Sequence, residues 1–158
     1  MGSADRIRFL ADGNVGRLAR WLRVLGYDAA FEPRLSDGLL VFRARREGRV
    51  LLTRDVELTR RRLITTGQVR AVLLAGDRVQ DQLRQVRREL DLDDEAALSR
   101  CLECNVPLQP RTPDAVGHRV PPYVRATQRR FSECPRCARV YWPGTHWERM
   151  RAQLQQTP

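Results

Sequence analysis

At 158 residues with a net charge of +10, the chain can hold one sizeable core and a small appended module. It contains no apolar run of membrane length and no basic-apolar-small leader, which argues against membrane insertion and secretion and makes the cytoplasm the expected compartment. All 29 basic residues are arginine, whose planar fork grips phosphate bidentately, so nucleic acid is the expected partner; a compositionally biased genome would also account for the lack of lysine.

Ile7 to Ala11 reads as a buried strand. From Val15 to Leu25, the apolar residues Leu18, Trp21, Leu22 and Leu25 recur at helical spacing, and Gly26 supplies the stop. Gly16 within that pattern costs about 1 kcal/mol relative to alanine. Close approach of a phosphate or of another helix would account for it, as would a helix beginning only at Arg17. Asp28 to Phe31 is a weak second strand. Ser36 is placed to cap a helix over Asp37 to Glu47, which Gly48 stops. Val50 to Thr53 is the clearest strand, Asp55 to Leu63 is predicted helical, and Val69 to Leu74 is the next strand. Asp77 to Leu90 is predicted as a helix with Val79, Leu83, Val86 and Leu90 on one face.

This alternation predicts an α/β fold, a parallel sheet flanked by helices and joined by right-handed crossovers. The acidic run from Asp91 to Glu95 ends the pattern, dividing the chain into a first domain over 1–95 and a second over 96–158. The second is the more basic for its size, at +6 against +4. Residues 101–142 hold six of the nine prolines and all four cysteines, as a loop-rich metal module would. Trp142-Pro143-Gly144 reads as a turn, and Thr145 is placed to cap a short terminal helix.

In an open parallel sheet, ligands bind beyond the carboxyl ends of the strands. Asp12 directly follows the first strand and Asp55 follows the third by one residue. Asp37 starts the helix after the second strand, and Asp77 follows the fourth across Ala75-Gly76, with Asp81 competing for its role. Converging carboxylates repel one another unless a cation neutralises them. Mg²⁺ or Mn²⁺ suits such an all-oxygen site and supports phosphodiester hydrolysis. The alternative is that these aspartates are helix caps and turn residues.

Cys101-x-x-Cys104 and Cys134-x-x-Cys137 supply four thiolates, enough for a closed tetrahedral structural Zn²⁺ site without an open catalytic position. Iron bound by the same four sulfurs is the chemical alternative. His118 and His146 are then surplus as ligands.

Several segments together resemble the Mut-seven C-terminal RNase family, a PIN-like family with a zinc module behind the catalytic domain. They are Phe9-Leu10-Ala11-Asp12-Gly13, Gly16-Arg17-Leu18-Ala19-Arg20-Trp21-Leu22-Arg23, Leu25-Gly26-Tyr27-Asp28 and Glu47-Gly48-Arg49-Val50-Leu51-Leu52-Thr53-Arg54-Asp55. In the C-terminal part the resemblance rests on Cys101-Leu102-Glu103-Cys104-Asn105, Arg119-Val120-Pro121-Pro122-Tyr123, Cys134-Pro135-Arg136-Cys137 and Tyr141 through Trp147. It implies a PIN-like fold with a zinc ribbon and metal-dependent cleavage of RNA, with acidic roles on Asp12, Asp37 and Asp55. Gly38 stands where family members often carry a further acidic residue.

Arg17, Arg20 and Arg54 flank these acids and are candidates to hold substrate phosphates, as are Arg125, Arg129 and Arg130 in the second domain. Tyr123, Phe131, Tyr141, Trp142 and Trp147 lie among arginines, which suits either stacking of single-stranded RNA bases or packing of the ribbon. A non-catalytic zinc-ribbon RNA-binding protein is the alternative to a ribonuclease.

Overall fold

The computed structural model describes residues 6–156. Short apolar runs build the first sheet from β1 (Phe9–Ala11), β2 (Ala29–Phe31), β3 (Val50–Thr53) and β4 (Ala71–Leu73). All pairs are parallel and the order is β2-β1-β3-β4, with Leu10 opposite Ala30 on one side and Leu51 on the other. Helices cover both faces, which is why β1 and β3 are buried along their length, apolar but for Thr53, rather than alternating. On one face α1 (Gly16–Val24) and α5 (Val79–Leu90) bury Leu18, Leu22, Leu83 and Val86 against Phe9 and Leu52. On the other, α2 (Asp37–Glu47), α3 (Val56–Thr59) and α4 (Arg62–Thr65) enclose Leu10, Leu40, Leu51 and Leu58. The expected parallel sheet flanked by helices is thus present.

Local signals set several boundaries where the sequence placed them. Ser36 Oγ accepts from the Leu39 N–H at 3.4 Å, and Gly48 closes α2 in the left-handed conformation at φ 65°. Elsewhere the chain departs from expectation. The predicted helix from Asp55 to Leu63 is two helices, broken at Arg60 and Arg61. In one continuous helix Leu58 and Leu63 would point about 140° apart; the break turns both toward the second core. Helix α5 starts at Val79 rather than Asp77, because its own glutamines hold the preceding loop open. Gln82 Nε2 donates to the Gly76 carbonyl at 3.0 Å, and Gln85 Nε2 donates to that of Leu73 at 2.9 Å.

The second sheet is antiparallel in the order β5 (Gln109–Arg111), β6 (Phe131–Glu133), β7 (Val140–Tyr141). Between β5 and β6 lie α6 (Pro113–Val116) and α7 (Pro122–Thr127), which bury Val116 and Val124 against Phe131. Helix α8 (Thr145–Gln155) follows, with Gly144 rather than Thr145 at its cap position. It returns to the first sheet: Leu154 is buried in the α1/α5 core, and Arg87 Nη1 donates to its carbonyl at 3.1 Å.

A polar seam joins the two sheets. Arg23 Nε donates to the Ala29 carbonyl at 2.9 Å and its Nη1 to that of Leu102 at 2.7 Å. Gly26 takes φ 89°, and any side chain there would meet the Ala96 carbonyl, so only glycine admits the linker so close to α1.

Candidate active site and metal centre

The strand order makes β1 and β3 the pair at which the connections diverge to opposite faces, the position where doubly wound sheets open a crevice. Asp12 and Asp55 stand at the carboxyl ends of those two strands. Between them lies Thr53, a fully buried hydroxyl in an otherwise apolar strand. Its Oγ1 donates to Asp12 Oδ2 at 2.7 Å and accepts from the Asp55 backbone N–H at 3.0 Å. The Asp12 N–H in turn donates to the Leu52 carbonyl at 3.0 Å, fixing the loop to the neighbouring strand.

Asp12 occupies the cap position of a 3-10 turn over Gly13–Val15 but makes no capping bond with its side chain. Asp55 does: its Oδ1 accepts from the Glu57 N–H at 2.9 Å and the Leu58 N–H at 3.3 Å. The helix-cap alternative therefore holds for one oxygen of Asp55 and not for Asp12.

Asp37 is the first residue of α2, half-buried, on the same side of the sheet. Beside it, a Cβ on Gly38 would lie 3.6 Å from Arg61 Nη1, so an arginine already fills the space next to that position. Asp77 is exposed in the loop after β4 and caps nothing; Arg78 holds the cap position of α5. With Asp81 it lines a cavity of about 880 Å³ that begins at Gly13, immediately after Asp12, and includes Arg17 and Arg84. Within that lining Asp81 is paired with Arg84 at 3.3 Å.

The structure thus links Asp12 to Asp55 through Thr53 and sets Asp77 with Asp81 in the adjoining cavity. It does not close the acids into a cage. Among the described residues, the group of three or more His, Cys, Asp or Glu with ligand atoms within 4.8 Å of one another is the four cysteines. An open acidic edge fits a cation that binds through one or two carboxylates and keeps its waters for exchange with phosphate oxygens, as Mg²⁺ does.

The cysteine centre is closed. Cys101 and Cys137 sulfurs lie 3.7 Å apart, and the two knuckles share one geometry. In each, the residue after the second cysteine is left-handed (Asn105 at φ 58°, Ala138 at φ 63°) and its N–H returns to the carbonyl of the first cysteine. Backbone N–H groups of Cys104 and Cys137 each point at the first sulfur of their knuckle at 3.4 Å. Tyr141, its hydroxyl 3.2 Å from the Cys101 sulfur, also accepts from the Leu102 N–H. Burial and the surrounding thiols push the Cys104 thiol up to about 12, whereas N–H donation from Arg139 pulls Cys137 down to about 6. Sulfurs crowded in this way, already receiving N–H bonds, suit a four-thiolate metal such as Zn²⁺.

Of the predicted arginines, Arg17 and Arg54 are exposed beside the acidic edge. Arg20 is engaged by Glu103 at 2.6 Å, an ion pair between α1 and the first cysteine knuckle. Arg125 lies against Gly117, and Arg129 and Arg130 are exposed before β6. The aromatics divide. Phe131 is buried and packs on Trp142 at 6.2 Å between ring centres, Tyr141 serves the cysteine centre, and Tyr123 is 72% exposed.

Sequence reasoning does not single out Thr53, Arg23 or Asn105. Thr53 carries a signal, a lone hydroxyl that ends an apolar strand just ahead of Arg54-Asp55. Asn105 carries a weaker one, since Asn tolerates the left-handed turn after a knuckle.

Residues 7–154 match a family model described as Mut7-C RNAse domain, nearly the whole chain. No curated protein and no solved structure matches it.

Proposed function

Given that this chain belongs to the Mut7-C RNAse domain family, we propose that it is a PIN-like, metal-dependent ribonuclease that hydrolyses phosphodiester bonds of single-stranded RNA at the acidic edge. The observation that carries this reading is the Asp12–Thr53–Asp55 bridge across the β1/β3 crevice. Thr53 holds Asp12 by Oδ2 and leaves Oδ1 for a ligand; the α3 cap holds Asp55 by Oδ1 and leaves Oδ2. Asp12 and Asp55 would hold Mg²⁺ or Mn²⁺, with Asp37 and Asp77 as outer acids. When bound, the cation would supply an activated water and stabilise the leaving oxygen. Arg17 and Arg54 are positioned to hold phosphates on either side of the scissile bond. The cysteine centre takes structural Zn²⁺, and the ribbon with Arg125, Arg129 and Arg130 supports RNA binding.

The test is cleavage of end-labelled single-stranded RNA by zinc-loaded protein, with and without Mg²⁺ or Mn²⁺, beside Asp12→Ala and Asp55→Ala. Cleavage that needs the added cation and both aspartates supports the reading. Asp12→Ala protein that still cleaves in a metal-dependent way overturns it. The second reading, an RNA-binding protein without catalysis, draws on the cap role of Asp55 and the open spacing of the acids. It requires tight RNA binding and no cleavage with either cation.

A further inference from the structure

Helices α1 and α8 face each other across a groove of about 380 Å³. The lining residues repeat one spacing on both sides: positions 17, 20, 21 and 24 on α1, and 146, 149, 150 and 153 on α8. That i, i+3, i+4, i+7 pattern puts each set on a single helix face. Arg17, Arg20 and Arg149 supply cationic forks along the groove and His146 a further donor, while Trp21 and Met150 supply an apolar floor. Among the described residues no acidic side chain lines it, although Arg20 is paired with Glu103 at 2.6 Å. Like charges gathered on facing helices repel, and an anion between them relieves that repulsion.

One residue ties this groove to the acidic edge. Arg17 lines both the groove and the cavity that begins beside Asp12 and contains Asp77. The two hollows are therefore neighbours on α1 that share Arg17 as a common wall, one reaching toward the sheet end and the other toward the cations on α8.

We propose that the α1/α8 groove binds the phosphates of a single RNA strand whose scissile bond lies at the acidic edge. Trp21 and Met150 offer the apolar surface and the arginines the backbone grip that together hold single strands without reading sequence. This rests on the ribonuclease reading above and adds to it a substrate path on α8, the helix that otherwise serves to return Leu154 to the core.

The experiment compares zinc-loaded wild type with Arg149→Gln, His146→Gln/Arg149→Gln and Arg151→Gln. Arg151 is exposed on the same helix but does not line the groove, so it reports the effect of charge alone. Binding of a labelled single-stranded RNA is measured across salt concentrations without added divalent cation, and cleavage is measured with it. The expected result is about three- to tenfold weaker binding for Arg149→Gln, and more for the double variant. The slope of log affinity against log salt should fall by about 0.7 for each phosphate that no longer meets a cation. Cleavage should show a raised KM with kcat unchanged, and Arg151→Gln should stay within about twofold of wild type.

Equal weakening by Arg149→Gln and Arg151→Gln would overturn the groove and leave only general charge. Metal-dependent cleavage by wild type with unchanged binding in both groove variants would overturn the groove while leaving the ribonuclease reading intact. Wild type that neither binds nor cleaves RNA would overturn both.

Discussion

Asn105 Nδ2 donates to Asp28 Oδ1 at 2.7 Å, tying the first cysteine knuckle to the start of β2 across 77 residues of chain. The same amide accepts from the Ala29 N–H at 3.0 Å, so one side chain satisfies a carboxylate and an edge-strand donor. Arg49 grips both oxygens of that carboxylate, Oδ1 at 2.7 Å and Oδ2 at 3.3 Å, while also bonding Glu47 and the Phe9 carbonyl. The knuckle is thus held to the first domain by Asn105 together with Arg23, which bonds the Leu102 carbonyl, and Arg20, which pairs with Glu103; the left-handed backbone of Asn105 aims its side chain outward.

That double duty gives a separable prediction. Asn105→Gly keeps the left-handed turn and loses the bonds, costing about 1.5–3 kcal/mol for a hydrogen bond to a charged group. Asn105→Ala loses the bonds and adds the left-handed penalty of about 1–2 kcal/mol. Denaturant titrations of the zinc-loaded proteins should rank wild type, Gly, then Ala. Equal stability of the Gly variant and wild type would remove Asn105 from the docking role.

Asp28 also sets a pH dependence. Burial alone would push its carboxyl up, but the bonds from Arg49 and Asn105 outweigh burial and hold it below the usual carboxylate range. Because the folded-state pKa lies below the unfolded one, its stabilisation is complete above about pH 4 and is lost as pH falls through the folded value. The stability gap between wild type and Asp28→Asn, compared at matched zinc content, should be flat from about pH 7 to about pH 4 and narrow below. A gap that widens on acidification would contradict the Arg49–Asp28 geometry.

Gly16 shows how a sequence anomaly acquires a cause. A Cβ there would lie 2.6 Å from Phe31 Cζ and 2.9 Å from both adjoining ring carbons. The close protein neighbour is thus an aromatic ring from β2 rather than another helix, and Gly16 is the first residue of α1, one position before the expected alternative start at Arg17. Gly16→Ala should destabilise by about 1–3 kcal/mol through overpacking, offset by less than the about 1 kcal/mol that alanine gains in a helix interior, since Gly16 is the first residue of α1. Phe31→Leu in the same chain should recover part of the loss. A stabilised Gly16→Ala protein in thermal unfolding would show that the ring yields freely.

Elements whose boundaries are written in local chemistry were legible in the sequence. Ser36 and Gly48 mark α2, the apolar run Val50–Thr53 marks β3, and the paired C-x-x-C spacings mark the cysteine centre. What was not legible depends on interactions between distant residues. The split at Arg60 and Arg61 follows from where the second core lies, and the late start of α5 from Gln82 and Gln85 reaching back to the β4 loop. The acids were found by strand-end position, whereas Thr53 matters through a bond to Asp12 across 41 residues. Likewise, α8 is legible only as a short terminal helix, because nothing local indicates that Leu154 belongs to the first core.

The cysteine centre predicts a stoichiometry and a protection pattern. Zinc-loaded protein should carry one equivalent of Zn²⁺ with all four thiols unreactive, and a chelator should release the metal and expose four together. Thiols that react one at a time with metal retained would argue against a shared site. Tyr141→Phe, which removes the hydroxyl beside the Cys101 sulfur, should weaken zinc retention by about 10–100-fold, as loss of groups orienting metal ligands does elsewhere.

Thr53→Val tests the acidic edge without altering any carboxylate. Valine keeps the branched shape of threonine with a methyl in place of the hydroxyl, so the change in the fully buried strand is chiefly the loss of its hydrogen bonds. The hydroxyl bridge is lost: Asp12 Oδ2 is freed to rotate, and the Asp55 N–H loses its acceptor. An unmade bond to a half-buried carboxylate costs about 1–3 kcal/mol in stability. The effect on cleavage should be about 10–100-fold, because the group lost would orient a ligand of the proposed cation rather than bind substrate. Raising Mg²⁺ or Mn²⁺ should restore part of the rate to Thr53→Val and none to Asp12→Ala, since the former keeps every carboxylate and only loosens one. Thr53→Ser, which keeps the hydroxyl and drops a methyl, should cleave close to wild type. If valine and serine cleave alike, the bridge holds the fold and not the site, and the pairing of Asp12 with Asp55 would need another basis.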